Sequence, residues 1–227
     1  MLAKRVLIGV LLTILSSSIA FSQGEYLKKG ESGVAYSAAF LVNRNAVGFG
    51  GSFGYSYLSM IDFGLSASRT SIAQRVYGYD LSGVGVSPSI ALNLKSDSTA
   101  VPQMFLSISG TYEIDLYSSK RLAELGLSMI GSYFSFEGTL CWNIFASNAV
   151  YLQPALGLGY LVGSNRYSNF TGLPTPPSAH DLLYLGGLSI VLKTLSANSY
   201  VVEPAVSVDK GQPTFSLSLD LVLGTKP

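Results

Sequence analysis

His180 stands directly before Asp181, with Ser178 two positions upstream, so a hydroxyl, an imidazole and a carboxylate fall together in this 227-residue chain. That trio could in principle support acyl transfer or ester hydrolysis. The chemistry requires the imidazole to lie between its two partners in space, which adjacency in sequence does not supply. An isolated histidine of this kind reads more simply as a loop residue, so no catalytic residue is assigned and no enzyme activity is expected. Cys141 is the only cysteine, which excludes an internal disulfide framework, and it reads as an inert thiol on a strand. No cluster of His, Cys and carboxylates has metal-site spacing. The glycines of Gly48–Gly54 and Gly157–Gly163 lack the spacing and the following helix of a nucleotide-binding loop. No cofactor is therefore expected.

A second constellation is electrostatic. Asp62, Glu113, Asp115, Glu137, Lys193, Glu203, Asp209 and Asp220 all fall on the polar phase of alternating segments. If those segments close on one another, seven acids share one interior with few cations. Like charges in a narrow, low-dielectric space repel unless basic partners reach them; Arg69, Arg75, Lys120, Arg121 and Arg166 are the candidates. Such an interior is either a structural polar network or a narrow cation-preferring path. Barrels of eight to ten strands are usually filled by side chains, which favours the network and weak conductance at most.

The elements that must position these groups are strands. In Phe215-Ser-Leu-Ser-Leu-Asp-Leu-Val-Leu223 a large apolar residue occupies every odd position, with mostly small or polar residues between. The same period of two runs through Val34–Val42, Val47–Tyr57, Ile61–Ala67, Val84–Leu94, Met104–Leu116, Val150–Val162, Leu182–Leu192 and Tyr200–Val208. Asn43-Arg44-Asn45 makes a turn between the first two. Pro154 and Pro204 remove ladder hydrogen bonds and are expected near strand starts or at bulges. One stretch changes phase: Leu125, Leu127, Met129 and Tyr133 are apolar at odd positions, whereas Phe134, Phe136, Leu140, Trp142 and Ile144 are apolar at even ones. A bulge between about Gly131 and Phe136 in one long strand, or a tight turn near Glu137-Gly138, would reconcile them. Topology favours the bulge, because Ala146–Ala149 then becomes a short turn and Gly163–His180 a long external loop.

The compartment follows from the start of the chain. Lys4 and Arg5 precede an apolar core from Val6 to Leu15, then small residues before Gln23, the layout of a signal peptide with a core too short to span a membrane. No cysteine follows it to carry a lipid anchor. Charged residues are 12% of the chain, about half of the ~25% usual in soluble domains, while hydrophobic residues are 48%. A net charge of +1 points to no nucleic-acid partner. A chain this apolar, with no later run long enough for a membrane helix, satisfies its backbone in lipid only by closing a sheet. The apolar faces carry no Lys or Arg except Arg69 at a strand end; at the midplane such a group would cost ~2–4 kcal/mol. A soluble barrel would bury that apolar face and expose mostly Gly, Ser and Ala, a poorly soluble surface. Tyr36, Tyr57 and Tyr200 on one side, and Tyr160, Tyr184 and Phe215 on the other, fit two aromatic girdles.

On this pattern, and on phrases such as Leu152-Gln-Pro-Ala-Leu-Gly-Leu-Gly-Tyr160, the chain resembles the small outer-membrane β-barrel proteins of Gram-negative bacteria, especially the porin-like families. Those families usually end on an aromatic residue that the assembly machinery reads; here Leu223 is followed by Gly-Thr-Lys-Pro227. The expected fold is an all-β, antiparallel, up-and-down transmembrane barrel of about ten strands, with eight as the alternative. Residues 1–22 read as a signal peptide, 23–32 as a periplasmic segment, 33–224 as the barrel and 225–227 as a tail. The expected function is a narrow passive pore for small solutes or cations, or a non-conducting structural or adhesive surface barrel; a lipid-modifying enzyme at the rim ranks below both. The expected partners are outer-membrane lipids and the secretion and barrel-assembly machineries, with the chain a monomer.

Overall fold

The computed structural model describes residues 23–73, 81–95, 103–124, 126–147, 149–167, 179–194 and 198–225. A 3-10 turn (Gln23–Tyr26) leads into β1 (Ser32–Asn43), β2 (Ala46–Tyr57), β3 (Ile61–Ile72), β4 (Leu81–Lys95) and β5 (Gln103–Ser118). A short helix, α1 (Lys120–Glu124), precedes β6 (Met129–Phe145), β7 (Val150–Tyr167), β8 (Ala179–Lys193), β9 (Asn198–Asp209) and β10 (Gln212–Thr225). Each strand pairs antiparallel with the next, and β1 pairs with β10 from Ser32↔Thr225 to Asn43↔Thr214, which closes a ten-stranded barrel without edges. The shortest strands have 12 residues, more than the ~9–11 that a tilted strand needs to cross a bilayer.

Alternation decides which face each side chain takes. Phe49, Leu65, Leu116, Leu156, Tyr184 and Leu219 lie on the outer surface, each more than half exposed. The six aromatic girdle residues point outward as well. Every carboxylate on a described strand points inward. The outward face of the described strands carries a basic side chain only at Arg69, Arg166 and His180, all within four residues of the rim away from the termini. Charge is thus kept from the middle of the belt, where it would be most costly.

Turn chemistry matches strand direction. Asn43 Oδ1 accepts from the N–H groups of Asn45 and Ala46, both at 2.8 Å, and reverses the chain between β1 and β2. Lys210 and Gly211 have φ of 46° and 77°, the positive pair of a two-residue hairpin turn, and Gly211 takes the second position without strain. Ser147 Oγ accepts from Ala149 and Val150 N–H in the short connection between β6 and β7.

Three expectations are corrected. The β5–β6 register runs unbroken from Gln103↔Asn143 to Tyr117↔Met129, so β6 is one strand in one phase without a bulge. Met129 and Tyr133 point inward and are buried, not lipid-facing; Leu127 packs against the interior and Leu125 lies outside the described residues. The physical reason is space. A Cβ on Gly131 or Gly163 would lie 2.5 and 2.0 Å from the Tyr133 ring, so the two glycines vacate the volume that the ring fills.

Pro154 and Pro204 sit neither at strand starts nor at bulges. They face outward in mid-strand, as does Pro88, and the register on either side of each is unchanged. What each removes is local: Cα pairing lapses over two successive positions in one ladder, between Cys141↔Ala155 and Ile144↔Leu152 for Pro154, and between Gly187↔Ala205 and Ile190↔Val202 for Pro204. A missing N–H interrupts one ladder, while the other ladder still holds the strand. Finally, β7 runs on to Tyr167 and β8 starts at Ala179, so Gly163–Tyr167 and His180 belong to the wall. The intervening segment with Pro174, Pro176 and Pro177 lies outside the described residues, as do Arg75, Ser178 and the leader.

Candidate functional site

The lumen is layered. At the rim bearing the termini, Glu25, Tyr26 and Leu27 of the N-terminal segment are buried inside the barrel, while Lys28 and Lys29 are exposed. Tyr26 and Leu27 are 3% and 4% exposed, clustered with inward Ala35, Tyr151, Val191, Val201 and Val222. The Tyr26 hydroxyl donates to Glu203 Oε2 at 2.7 Å and lies 3.2 Å from Ser189 Oγ. Lys95 Nζ donates to the Leu27 carbonyl at 2.5 Å, and Gly30 N–H donates to the Leu58 carbonyl in the β2–β3 turn. The segment is anchored on both sides of its bend.

Acids line the lumen from near one rim to near the other. Asp62, Glu113, Asp115, Glu203 and Asp220 are buried on inward positions, with Glu25 of the N-terminal segment among them. Asn93 Nδ2 donates to Asp62 Oδ2 at 2.9 Å, and Ser218 Oγ donates to Asp220 Oδ2 at 3.0 Å. Glu113 and Asp115 neighbour each other across Gly85, where a Cβ would lie 2.1 Å from Asp115 Oδ1. Burial, reinforced by Glu203 and then Asp62, pushes the Glu25 carboxyl well above the ordinary glutamate range, against the opposing pull of Lys95 and the Ser107 hydroxyl.

At the far rim the interior is apolar again on the β1–β6 side. Leu41, Ile72, Leu81, Tyr117 and Met129 pack with Leu122 of α1. Tyr117 Oη donates to Asp115 Oδ2 and Tyr133 Oη to Asn165 Oδ1, both at 2.5 Å. On the other side Leu161 and Leu183 are buried below the Asp181–Lys210 ion pair, with Asp209 in the field of both charges.

Among the positions singled out from sequence, Asp62, Glu113, Asp115, Glu137, Glu203, Asp209 and Asp220 all face the lumen. Lys193 closes the same face at the rim of the termini, its Nζ 4.9 Å from the centre of the Tyr151 ring. Of the basic residues proposed as partners for the acids, Arg69 and Arg166 point outward and Lys120 is exposed on α1, while Arg75 and the Arg121 side chain lie outside what is described. Tyrosine hydroxyls, Asn93, Ser218 and Lys210 supply the contacts instead. His180 and Asp181 take opposite faces of β8, the imidazole outward and the carboxylate buried inside, so the two cannot act as one catalytic unit.

Residues absent from the sequence-based site are the inward apolar ones. Leu41, Tyr151, Leu161, Leu183, Val191, Val201 and Val222 are each the middle member of three consecutive apolar residues, as in Phe40-Leu-Val42 or Ile190-Val-Leu192. A triplet defeats alternation, and that is the signal: its outer members meet lipid and its centre fills the lumen.

No protein-family model matches the chain, and no curated protein sequence matches it. Similar solved structures include the translocator domain of the autotransporter NalP from Neisseria meningitidis, with a TM-score of 0.53 and 11% identity over 96% of this chain and 94% of that one. The transport unit of the autotransporter AIDA-I from Escherichia coli has a TM-score of 0.51 and 9% identity over 94% of this chain and 96% of that one. At these identities the likeness concerns the fold, which is that of bacterial outer-membrane β-barrels.

Proposed function

We propose that the chain is an integral β-barrel of a bacterial outer membrane that is closed at rest and serves a structural or surface role rather than free diffusion. The observation that carries this reading is the burial of Tyr26 and Leu27 inside the lumen, over inward Val191, Val201 and Val222. The Leu122 cluster fills part of the opposite end. Inward side chains as large as Tyr117, Tyr133 and Leu183 are almost wholly removed from solvent, as in a barrel packed with its own side chains. The outward apolar belt supports residence among outer-membrane lipids, reached with a cleaved leader and the barrel-assembly machinery, as a monomer. With His180 and Asp181 on opposite faces, no catalytic role is assigned.

A second reading, a narrow cation-preferring path, is favoured by the excess of acids over lysines along the lumen. It requires the N-terminal segment to leave the lumen. Single-channel recording separates the two. The full chain in a planar bilayer is expected to give no stable conductance steps, and a variant lacking residues 23–31 to give small cation-selective ones. Large, stable steps from the full chain would overturn the closed reading.

A further inference from the structure

Arg69 of β3 points outward near the rim away from the termini, between Phe49 on β2 and Val84 on β4 in the register. Every carboxylate on the described strands points inward, so no strand acid shares the face that the guanidinium occupies. At the opposite rim the outward faces of the described strands carry no basic side chain, and Lys95 and Lys193 take inward positions instead. The outer wall is cationic at the depth of one leaflet only.

Below Arg69 the apolar surface dips. Pro88, Ile90, Gly110, Tyr112, Phe134 and Phe136 line an open hollow of about 640 Å³ on the outside of the wall, within the ~300–1,000 Å³ usual for small-molecule sites. Gly110 makes its floor. It stands between Ile90 on β4 and Phe136 on β6, and a Cβ there would meet no atom nearer than the Phe134 ring at 3.8 Å. Beside it, at Pro88, β4–β5 pairing lapses between Val86↔Ile114 and Ser89↔Thr111. From Val84, opposite Arg69, to Pro88 is four residues of β4, roughly 13 Å at ~3.3 Å per residue.

A cation at headgroup depth and an apolar hollow beneath it, on one face of the wall, match the two ends of one lipid. A guanidinium takes phosphate in a bidentate fork, and basic side chains at membrane level select anionic lipids. A hollow in the middle of the apolar belt is reached by acyl chains.

We infer that the β3–β6 face binds one anionic, phosphate-bearing lipid, its phosphate on Arg69 and an acyl chain in the hollow over Gly110. The site rests on the reading that the outward face meets outer-membrane lipid. It gives the barrel a fixed lipid neighbour on one side, in the leaflet at the rim away from the termini.

Dimyristoyl phosphatidic acid serves as the probe, with dimyristoylglycerol, which lacks the phosphate, as its control. The full-length protein, folded in detergent and stripped of carried-over lipid, is titrated with each, and native mass spectrometry counts the lipids kept by each chain. One phosphatidic acid per chain is expected, held at least tenfold more tightly than the diacylglycerol and not displaced by inorganic phosphate. Arg69→Leu and Gly110→Leu are each expected to weaken it at least tenfold. Arg166→Leu, which removes an outward cation on β7 away from the hollow, is expected to bind as the parent does. Each variant is first shown to fold by its heat-modifiable gel band. Equal retention of the two lipids, displacement by inorganic phosphate, or unchanged binding in Arg69→Leu or Gly110→Leu would overturn the site. So would equal loss in Arg166→Leu, or a dimer of the parent that Gly110→Leu dissociates, since a second copy would then fill the hollow. A barrel that enters lipid vesicles yet shows no preference for phosphatidic acid overturns the site and leaves the membrane reading standing. Conductance by the full chain with lipid binding intact would instead count against closure alone.

Discussion

The Tyr26 hydroxyl donates to Glu203 Oε2 at 2.7 Å across 177 residues of chain, joining the N-terminal segment to β9 inside the barrel. The contact explains how a four-residue 3-10 turn stays docked: its one aromatic side chain has an apolar ring for the Val191, Val201 and Val222 layer and a polar tip for a buried acid. Tyr26→Phe keeps the ring and removes the donor. A lost hydrogen bond to a buried charged group is worth ~1–3 kcal/mol, and at ~2–4 °C per kcal/mol for a chain of this size the thermal gel-shift midpoint should fall by several degrees. Tyr36→Phe, on the lipid face, should leave it unchanged.

Gly163 and Tyr133 make a steric pair. A Cβ at Gly163 would lie 2.0 Å from Tyr133 Cδ1, and the ring is held by its hydroxyl on Asn165. Gly163→Ala is expected to destabilise the barrel by ~1–3 kcal/mol through overpacking. The same substitution in a Tyr133→Ala background should cost markedly less. Additive effects in a double-mutant cycle would show that the close approach does not govern the site.

Leu158 is an outward residue near the middle of β7, more than half exposed to the surroundings. Leu158→Arg places a guanidinium deep in the apolar belt and should cost ~2–4 kcal/mol, read as loss of the folded, heat-modifiable form in lipid vesicles. Arg69 already stands outward near the far rim, so Arg69→Leu should change folding little. Equal tolerance of both substitutions would argue that this face does not meet lipid.

Glu25 predicts a pH dependence with a definite sign. Its carboxyl is held above the ordinary range by burial and by Glu203 and Asp62, so the folded state binds the proton more tightly than the unfolded chain does. Stability from this group is fullest below the ordinary glutamate range and is lost as pH rises from there through the raised folded value. Compared with Glu25→Gln, the parent's thermal midpoint should therefore fall more steeply on going from pH 4 to pH 8. Parallel profiles would mean that Glu25 is not buried as a carboxyl.

The sequence determined the wall. Alternation at Val47–Tyr57 or Phe215–Leu223 is a local property, since successive side chains on a strand must face opposite ways, and lipid outside makes one of those faces apolar. The run of alternating strands and the inward phase of all seven strand acids named from sequence follow from that periodicity, while the choice of ten strands over eight rested on counting the turns between them. Tertiary structure decided what fills the space. Met129 and Tyr133 have the apolarity of lipid-facing residues, yet they point inward because Gly131 and Gly163, on facing strands, leave a hole there. The centres of apolar triplets, such as Leu41 and Val191, are marked in sequence by the broken alternation, but what each packs against is fixed only when the barrel closes. Nor does alternation reach Glu25-Tyr-Leu27, which precede the first strand; only closing the barrel brings Ser189 and Glu203 to the place where that segment can dock. A strand's pattern is set by its two neighbouring environments, whereas the lumen is a volume shared by all ten strands, and only their closure fixes its contents.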